Sequence, residues 1–336
     1  MTTTVSAPAL NATPSRWERT NKATVAMLGV TVALFVIFGL AAPNFLTFTN
    51  ISNLATQVAI TLIVAVAMTF VITTGQIDLS VGSTVAFVAA GTAELLQAGW
   101  DSSLVIIAGL VAGLVWGVAN GWLAAYQRIP SFIVTLAALS VIRGLAQLWT
   151  QGFSVPIDKR LFVAKIGDAT FLGFSVLAWI ALATVLIGAV LLYKMPFGNY
   201  VNGIGAQEES VRRAGVNTRQ IKMIVLALSG LAAGAAGILT AARLGSGSSN
   251  SGQGFELTVI AAVVLGGTNL FGGRGTVVGT IIGAVITGVI ANGLTLLGVS
   301  PFLAPIVTGL VLVAAIWINL RGRSLADLAG HMVGRR

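Results

Sequence analysis

Long apolar runs, each able to cross a bilayer, recur along this chain with almost no charge inside them. A hydrocarbon core of about 30 Å takes about 20 residues of helix. Backbone polar groups inside it must pair within the chain, which leaves helical spans or a closed barrel. The runs here are too long for barrel strands, so the expected class is an all-α polytopic membrane protein. Composition agrees: of 336 residues, 56% are hydrophobic and 9% are charged. The mean hydropathy is +0.94. Ten spans are expected, near 24–42, 54–73, 80–98, 103–125, 131–150, 172–193, 221–242, 256–271, 276–297 and 302–320. The first follows a polar tail, residues 1–22, and reads as an uncleaved span rather than a signal peptide. That tail reads as disordered.

The net charge of +9 does not read as a nucleic-acid face, because the basic residues sit between spans. With the first tail inside and the spans alternating, fourteen of the 19 Lys and Arg fall on the cytoplasmic side. Lys159, Arg160, Lys165 and Arg243 fall outside, and Arg143 lies within the fifth span. That bias places both termini in the cytoplasm. The permease domain then covers 23–320, with a cytoplasmic loop at 194–222 and a cytoplasmic tail at 321–336.

Two landmarks repeat in order. Gly75-Gln76-Ile77-Asp78-Leu79-Ser80-Val81 is matched by Gly252-Gln253-Gly254-Phe255-Glu256-Leu257-Thr258-Val259, and Ala119-Asn120-Gly121 by Ala291-Asn292-Gly293. The acidic motifs lie five spans apart and so on opposite sides of the membrane. Spans 2–5 and 7–10 therefore read as inverted repeats, the arrangement used for alternating access. Gly109, Gly113, Gly117 and Gly121 form a small-residue stripe on span four, and Gly275, Gly279 and Gly283 form its counterpart on span nine. Such stripes let helices approach closely.

Two readings stand for Asp78 and Glu256. They line a polar path, or they complement the first turns of the helices that follow. Arg143 either snorkels to the outer interface or faces the bundle interior beside a carboxylate such as Glu94. Asn53, Gln57, Gln147 and Asn292 are further candidates for the path, or bond between helices. In the 194–222 loop, residues 206–215 suit a short amphipathic helix ended by Gly215. Such a helix docks on a cytoplasmic partner or is a solvated loop. No lysine is followed by Ser or Thr, so the chain carries no phosphate-binding P-loop. No catalytic motif or metal-ligand cluster is present in the sequence, His331 is a lone tail histidine, and there is no cysteine. An enzyme is not expected, and neither a catalytic residue nor a metal site is assigned.

Residues 74–83, Pro130-Ser131-Phe132-Ile133-Val134-Thr135-Leu136 with Arg143-Gly144-Leu145, Gly254-Phe255-Glu256-Leu257 and the run 261–275 together resemble the monosaccharide permeases of bacterial ABC importers. The similarity runs from about residue 30 to 320. It implies a type II importer fold that moves a pentose or hexose across the inner membrane without chemistry on the sugar. It also implies separate ATP-binding subunits that hold ATP and Mg, an extracytoplasmic sugar-binding protein and a second permease copy. No cofactor is expected in the chain itself. Glu208, Glu209, Ser210, Arg212, Arg213 and Gly215 match the place of the family's coupling helix, with Glu209-Ser210 where two alanines are usual. Autoinducer-2 or a branched-chain amino acid are nearer alternatives as cargo. An ion-coupled secondary transporter using Asp78, Glu256 and Arg143 is the more distant one.

Overall fold

The computed structural model describes residues 16–300 and, beyond them, residues 303, 306, 307, 309, 310 and 313. The expected tail 321–336 with His331, and nearly all of the span expected at 302–320, lie outside the described residues. Eleven helices are described: α1 (Arg16–Ala41), α2 (Phe48–Thr73), α3 (Val81–Gln97), α4 (Ser102–Ala125), α5 (Ser131–Thr150), α6 (Phe162–Asp168), α7 (Val176–Tyr193), α8 (Pro196–Arg213), α9 (Thr218–Leu244), α10 (Phe255–Leu265) and α11 (Val277–Leu296). α1 thus begins inside the segment expected as tail. Two antiparallel pairs complete the set: β1 (Val155–Pro156) with β4 (Ser246–Gly247), and β2 (Thr170–Phe171) with β3 (Phe174–Ser175).

Seven helices, α1, α2, α4, α5, α7, α9 and α11, are long and apolar enough to cross a membrane. Thr47, Asp101, Ser175, Asn217 and Thr276 cap α2, α4, α7, α9 and α11, each side chain accepting a backbone N–H of the first turn. Burial sorts the helices into an inner and an outer set. α2 carries the fully buried Val64, Met68, Phe70, Val71 and Ile72, and packs against α7, α9, α10 and α11. α7 instead exposes Leu182, Leu186, Ile187 and Val190 along one face. An exposed apolar face of that length belongs against lipid.

α3 fits the span expected at 80–98 to within one residue at each end, whereas α10 is shorter than the span expected at 256–271. α10 has 11 residues, roughly 16 Å of helix and about half a hydrocarbon core. Gly266-Gly267 ends it, with Gly267 at φ +83°, a left-handed conformation open to glycine. Residues 266–276 then run as a loop whose apolar residues gave the appearance of a longer helix. The span expected at 172–193 is shortened as well, because 170–175 form the β2–β3 hairpin.

The turns gather at two ends. At one, Gly273 N–H donates to Thr73 O at 2.9 Å and Lys222 pairs with Glu208. Arg128, Lys194, Arg212, Arg213, Arg219 and Arg274 belong to the turns and helix ends on this side, here termed the basic end. At the other, Ile157 N–H donates to Gly245 O at 2.9 Å, Gln97 Nε2 to Pro156 O at 3.3 Å and Ser52 Oγ to Gly173 O at 3.2 Å. This is the hairpin end.

Both glycine stripes lie in helix contacts. A Cβ on Gly117 would stand 2.5 Å from Leu226 O, and one on Gly121 2.8 Å from Met223 O, so α4 meets α9 backbone to backbone. Gly279 and Gly283 of α11 do the same against Gly266 and Ala262 at the end of α10, while Gly275 abuts Thr73 of α2.

Candidate translocation site

The two acidic motifs meet inside the bundle. Residues 76–79 leave the end of α2 as non-helical chain, and Ser80, helical in its backbone (φ −80°, ψ −9°), leads into α3 at Val81. The loop 245–254 enters from the hairpin end and starts α10 at Phe255. Gly82 and Gly252 make the approach possible. A Cβ on Gly252 would lie 2.7 Å from Gly82 O, and one on Gly82 would collide with Glu256 Oε2. Two helix N-termini of opposite direction therefore sit side by side, each with a carboxylate at hand, and their partly positive ends favour that charge.

Asp78 is buried at 1% exposure. Its Oδ1 accepts the Ser80 N–H at 2.9 Å and the Ser80 hydroxyl at 2.6 Å. Asn120 of α4 donates Nδ2–H to Ser80 Oγ at 2.9 Å, and Ser229 of α9 stands beside the carboxyl. Asp78 thus organises the residue before α3; Ser80 occupies the N-cap position itself, with no side-chain cap bond. Asp78 Oδ2, Ser229 Oγ and Glu256 Oε2 are buried without a hydrogen-bond partner among the described residues.

α5 grips both entering segments. Near its start, Ser131 Oγ accepts the Ile77 N–H at 3.1 Å, and Thr135 donates to Ile77 O at 3.1 Å. Three turns on, Arg143 Nη1 donates to the carbonyls of Ser249 (2.5 Å) and Ser251 (2.8 Å), and Nη2 to Gly252 O at 3.4 Å. Arg143 therefore faces the interior, as one of the two expectations had it. Its partners are backbone carbonyls of the loop leading to Glu256, and Glu94 is not among them.

The other candidates are spread out. Asn292 forms a reciprocal amide pair with Asn50, both bonds 3.0 Å, toward the hairpin end. Asn53 and Gln147 are exposed, with Gln147 on α5. Gln57 lines a cavity of about 340 Å³ enclosed by α2, α3, α9, α10 and α11, together with Thr61, Thr240, Arg243, Gln253, Thr258 and Thr287. Sequence reasoning missed Asn50, Ser229 and these threonines. A threonine in an apolar helix carries no signal of its own until the face it shares is known.

At the basic end, α8 breaks at Gln207, whose backbone is extended (φ −161°, ψ 93°). The piece after the break holds Glu208, Glu209, Ser210, Arg212 and Arg213. It ends at Gly215, φ +87°, whose N–H bonds Arg212 O at 3.0 Å. Glu209 pairs with Arg212 and Arg213, and Glu208 with Lys222 of α9. Partial burial pushes the Glu208 carboxyl up, but the Lys222 hydrogen bond and charge, then Thr218 and Arg212, outweigh it and hold the carboxyl below its ordinary range. Just before the break, Gly205 packs against Thr73 O and Gly273 N, where no side chain fits. The short helix is thereby seated on the end of α2 and on the 266–276 loop. Beside it opens a cleft of about 700 Å³ floored by Gly75, Gln76 and Ile77 and rimmed by Arg128, Arg212 and Arg219.

Apolar helices around two abutting helix N-termini, with a cavity toward one end and a charged surface helix at the other, define a multi-pass membrane permease. Residues 50–316 match the family described as branched-chain amino acid transport system / permease component, and the chain belongs to that family. The ribose import permease protein of Bacillus subtilis is 40% identical over 287 residues, covering 85% of this chain and 89% of that protein. Its counterpart in Escherichia coli is 37% identical over 306 residues, 90% of this chain and 94% of that protein. The L-arabinose transport system permease protein of Escherichia coli is 37% identical over 290 residues, 86% and 88% of the two chains. No solved structure matches the chain.

Proposed function

We propose that this chain is the membrane-spanning subunit of an ATP-driven importer that carries a neutral monosaccharide, a pentose or hexose, into the cell by alternating access. The observation that carries the reading is its similarity, along nearly its whole length, to permeases named for ribose and L-arabinose import. The family description names branched-chain amino acids instead; the longer and more specific match is to the sugar permeases.

Ten spans, the last near 302–320, put the basic end in the cytoplasm and the hairpin end outside, across the inner membrane. Spans 2–5 and 7–10 form inverted repeats. Packing supports that pairing: α4 lies on α9 as α11 lies on α2, α3 on α9 as α10 on α2, and α3 on α4 as α10 on α11. Both termini are cytoplasmic. An extracytoplasmic binding protein delivers sugar at the hairpin end, two ATP-binding subunits act at the basic end, and a second copy of the permease completes the pathway.

The helix 208–213 is the coupling element. It stands on Thr73 and the 266–276 loop, so force applied to it reaches the base of α2 and the loop that follows α10. Replacing Glu208, Glu209, Arg212 and Arg213 together by Ala removes every charge pair that presents it. In the reconstituted complex, ATP hydrolysis is expected to continue while sugar uptake falls at least about tenfold, a loss of ~1.4 kcal/mol in coupling. Unchanged uptake per ATP would remove the coupling assignment.

A further inference from the structure

The cavity between α2, α3, α9, α10 and α11 has a largely apolar wall, with Ile60, Val85, Phe255 and Leu257 in it, that carries a set of polar groups. Thr240 donates its hydroxyl hydrogen to Ala236 O at 2.6 Å, Thr287 to Ala284 O at 3.0 Å and Thr258 toward Gly254 O at 3.5 Å. A hydroxyl has one hydrogen and two lone pairs. These three therefore spend their donors on their own helices and turn lone pairs toward the space. Gln57, Gln253 and Arg243 line the same cavity and make no side-chain hydrogen bond among the described residues. They add amide donors and acceptors and one set of guanidinium donors. Phe255 adds an aromatic wall, and no carboxylate of the described residues lines the space.

We propose that this cavity is a resting place, within a single subunit, for one neutral polyhydroxylated ring, and that it discriminates against amino acids. The assignment rests on the import reading above and narrows it to named residues. Each sugar hydroxyl both donates and accepts, so one ring can give hydrogens to the threonine oxygens, exchange bonds with both amides and accept from Arg243. Its C–H face lies on Phe255. The volume of about 340 Å³ is at the small end of the ~300–1,000 Å³ typical of small-molecule sites, which suits a single ring. A branched-chain amino acid fits worse. Its carboxylate finds Arg243, but its ammonium is left without an anion, and an ion desolvated without a partner is costly. Its apolar side chain also leaves threonine lone pairs and amides unpaired. Glu256 does not relieve this, since it turns toward Gly82. Arg143 shapes the site from behind, because the carbonyls it holds belong to the loop that supplies Gln253.

The test uses the whole transporter in vesicles, with its ATP-binding subunits and binding protein, supplied with labelled D-ribose and, separately, L-leucine. Thr240→Val and Thr287→Val keep shape and lose the lone pairs. Each is expected to slow D-ribose uptake about five- to tenfold, the effect of one lost hydrogen bond, with Thr240→Ser and Thr287→Ser restoring it. The chain has no cysteine, so Ala291→Cys, on the cavity wall, is the one thiol in this chain, and its labelling, read on this subunit, reports occupancy. D-ribose is expected to slow its alkylation by a membrane-impermeant maleimide, and L-leucine is not. Wild-type uptake in the Val variants, with alkylation indifferent to ribose, overturns the cavity assignment while leaving sugar import standing. A wild-type transporter that carries L-leucine and not D-ribose overturns the sugar reading itself.

Discussion

A guanidinium within an apolar helix must find oxygens, and Arg143 finds three in the backbone of the loop before α10. Its planar fork reaches them at once; a lysine ammonium is a single point. Arg143→Ala strands three carbonyls, that of the buried Ser249 among them, and is expected to cost on the order of 3 kcal/mol, at ~1.5–3 kcal/mol per charge-assisted bond with partial replacement by water. Arg143→Lys should recover less than half. Thermal unfolding in detergent reads both, and a lysine variant as stable as wild type contradicts the three-carbonyl grip. That Arg143 is embedded was legible from its neighbours Val141, Ile142 and Leu145. Its partner was not, because a carbonyl oxygen belongs to every residue and leaves no trace in the sequence. For Asp78, the two readings of path and cap follow from the sequence and the bond to Ser80 is local, two residues on, but the nearness of Ser229 depends on how α9 crosses α3.

Among the elements, α4 and α9 are joined along a seam where, at Gly113 and Gly117, backbone meets backbone. Gly117→Val would drive two methyl groups into Leu226 O and Ala227. Both backbones are regular helix and cannot yield locally, so the expected loss exceeds the ~1–3 kcal/mol of ordinary overpacking. A methyl group on Gly144 of α5 would meet nothing within 4 Å. Gly144→Ala is therefore expected to be neutral or stabilising by about 0.5–1 kcal/mol. Comparing the yield of folded, monodisperse protein for the two variants checks the seam; equal yields contradict it. The stripe at every fourth residue was readable in the sequence, whereas its partner helix was not. α10 shows the opposite failure. The span expected at 256–271 ran past its end, since hydropathy does not distinguish loop inside a bundle from helix, whereas α3 fits the span expected at 80–98 to within one residue at each end. Gly266-Gly267 was the available stop signal.

For the molecule as a whole, the segments that lead into α3 and α10 are gripped by one helix, α5, and a short charged helix is seated at the basic end. Motion entering at residues 208–213 reaches Thr73, and α5 links the first entering segment at Ile77 to the second at residues 249–252. A cavity and a charged cleft therefore lie at opposite ends of one connected frame. The two-ended distribution of loops was legible from charge alone, because a lysine or arginine is costly inside the bilayer and marks where the chain leaves it. Which residues line the cavity was not, since it draws on five helices distant in sequence.

If ATP hydrolysis on partner subunits drives this chain to import a neutral sugar, transport must depend on those subunits and on no ion gradient. Proteoliposomes holding the permease, its ATP-binding subunits and its sugar-loaded binding protein test this directly, with and without ATP and an ionophore. Sugar is expected to accumulate only when ATP and all partners are present, and to the same level whether or not the ionophore is added. Uptake by the permease alone, driven by an ion gradient and abolished by the ionophore, would contradict it.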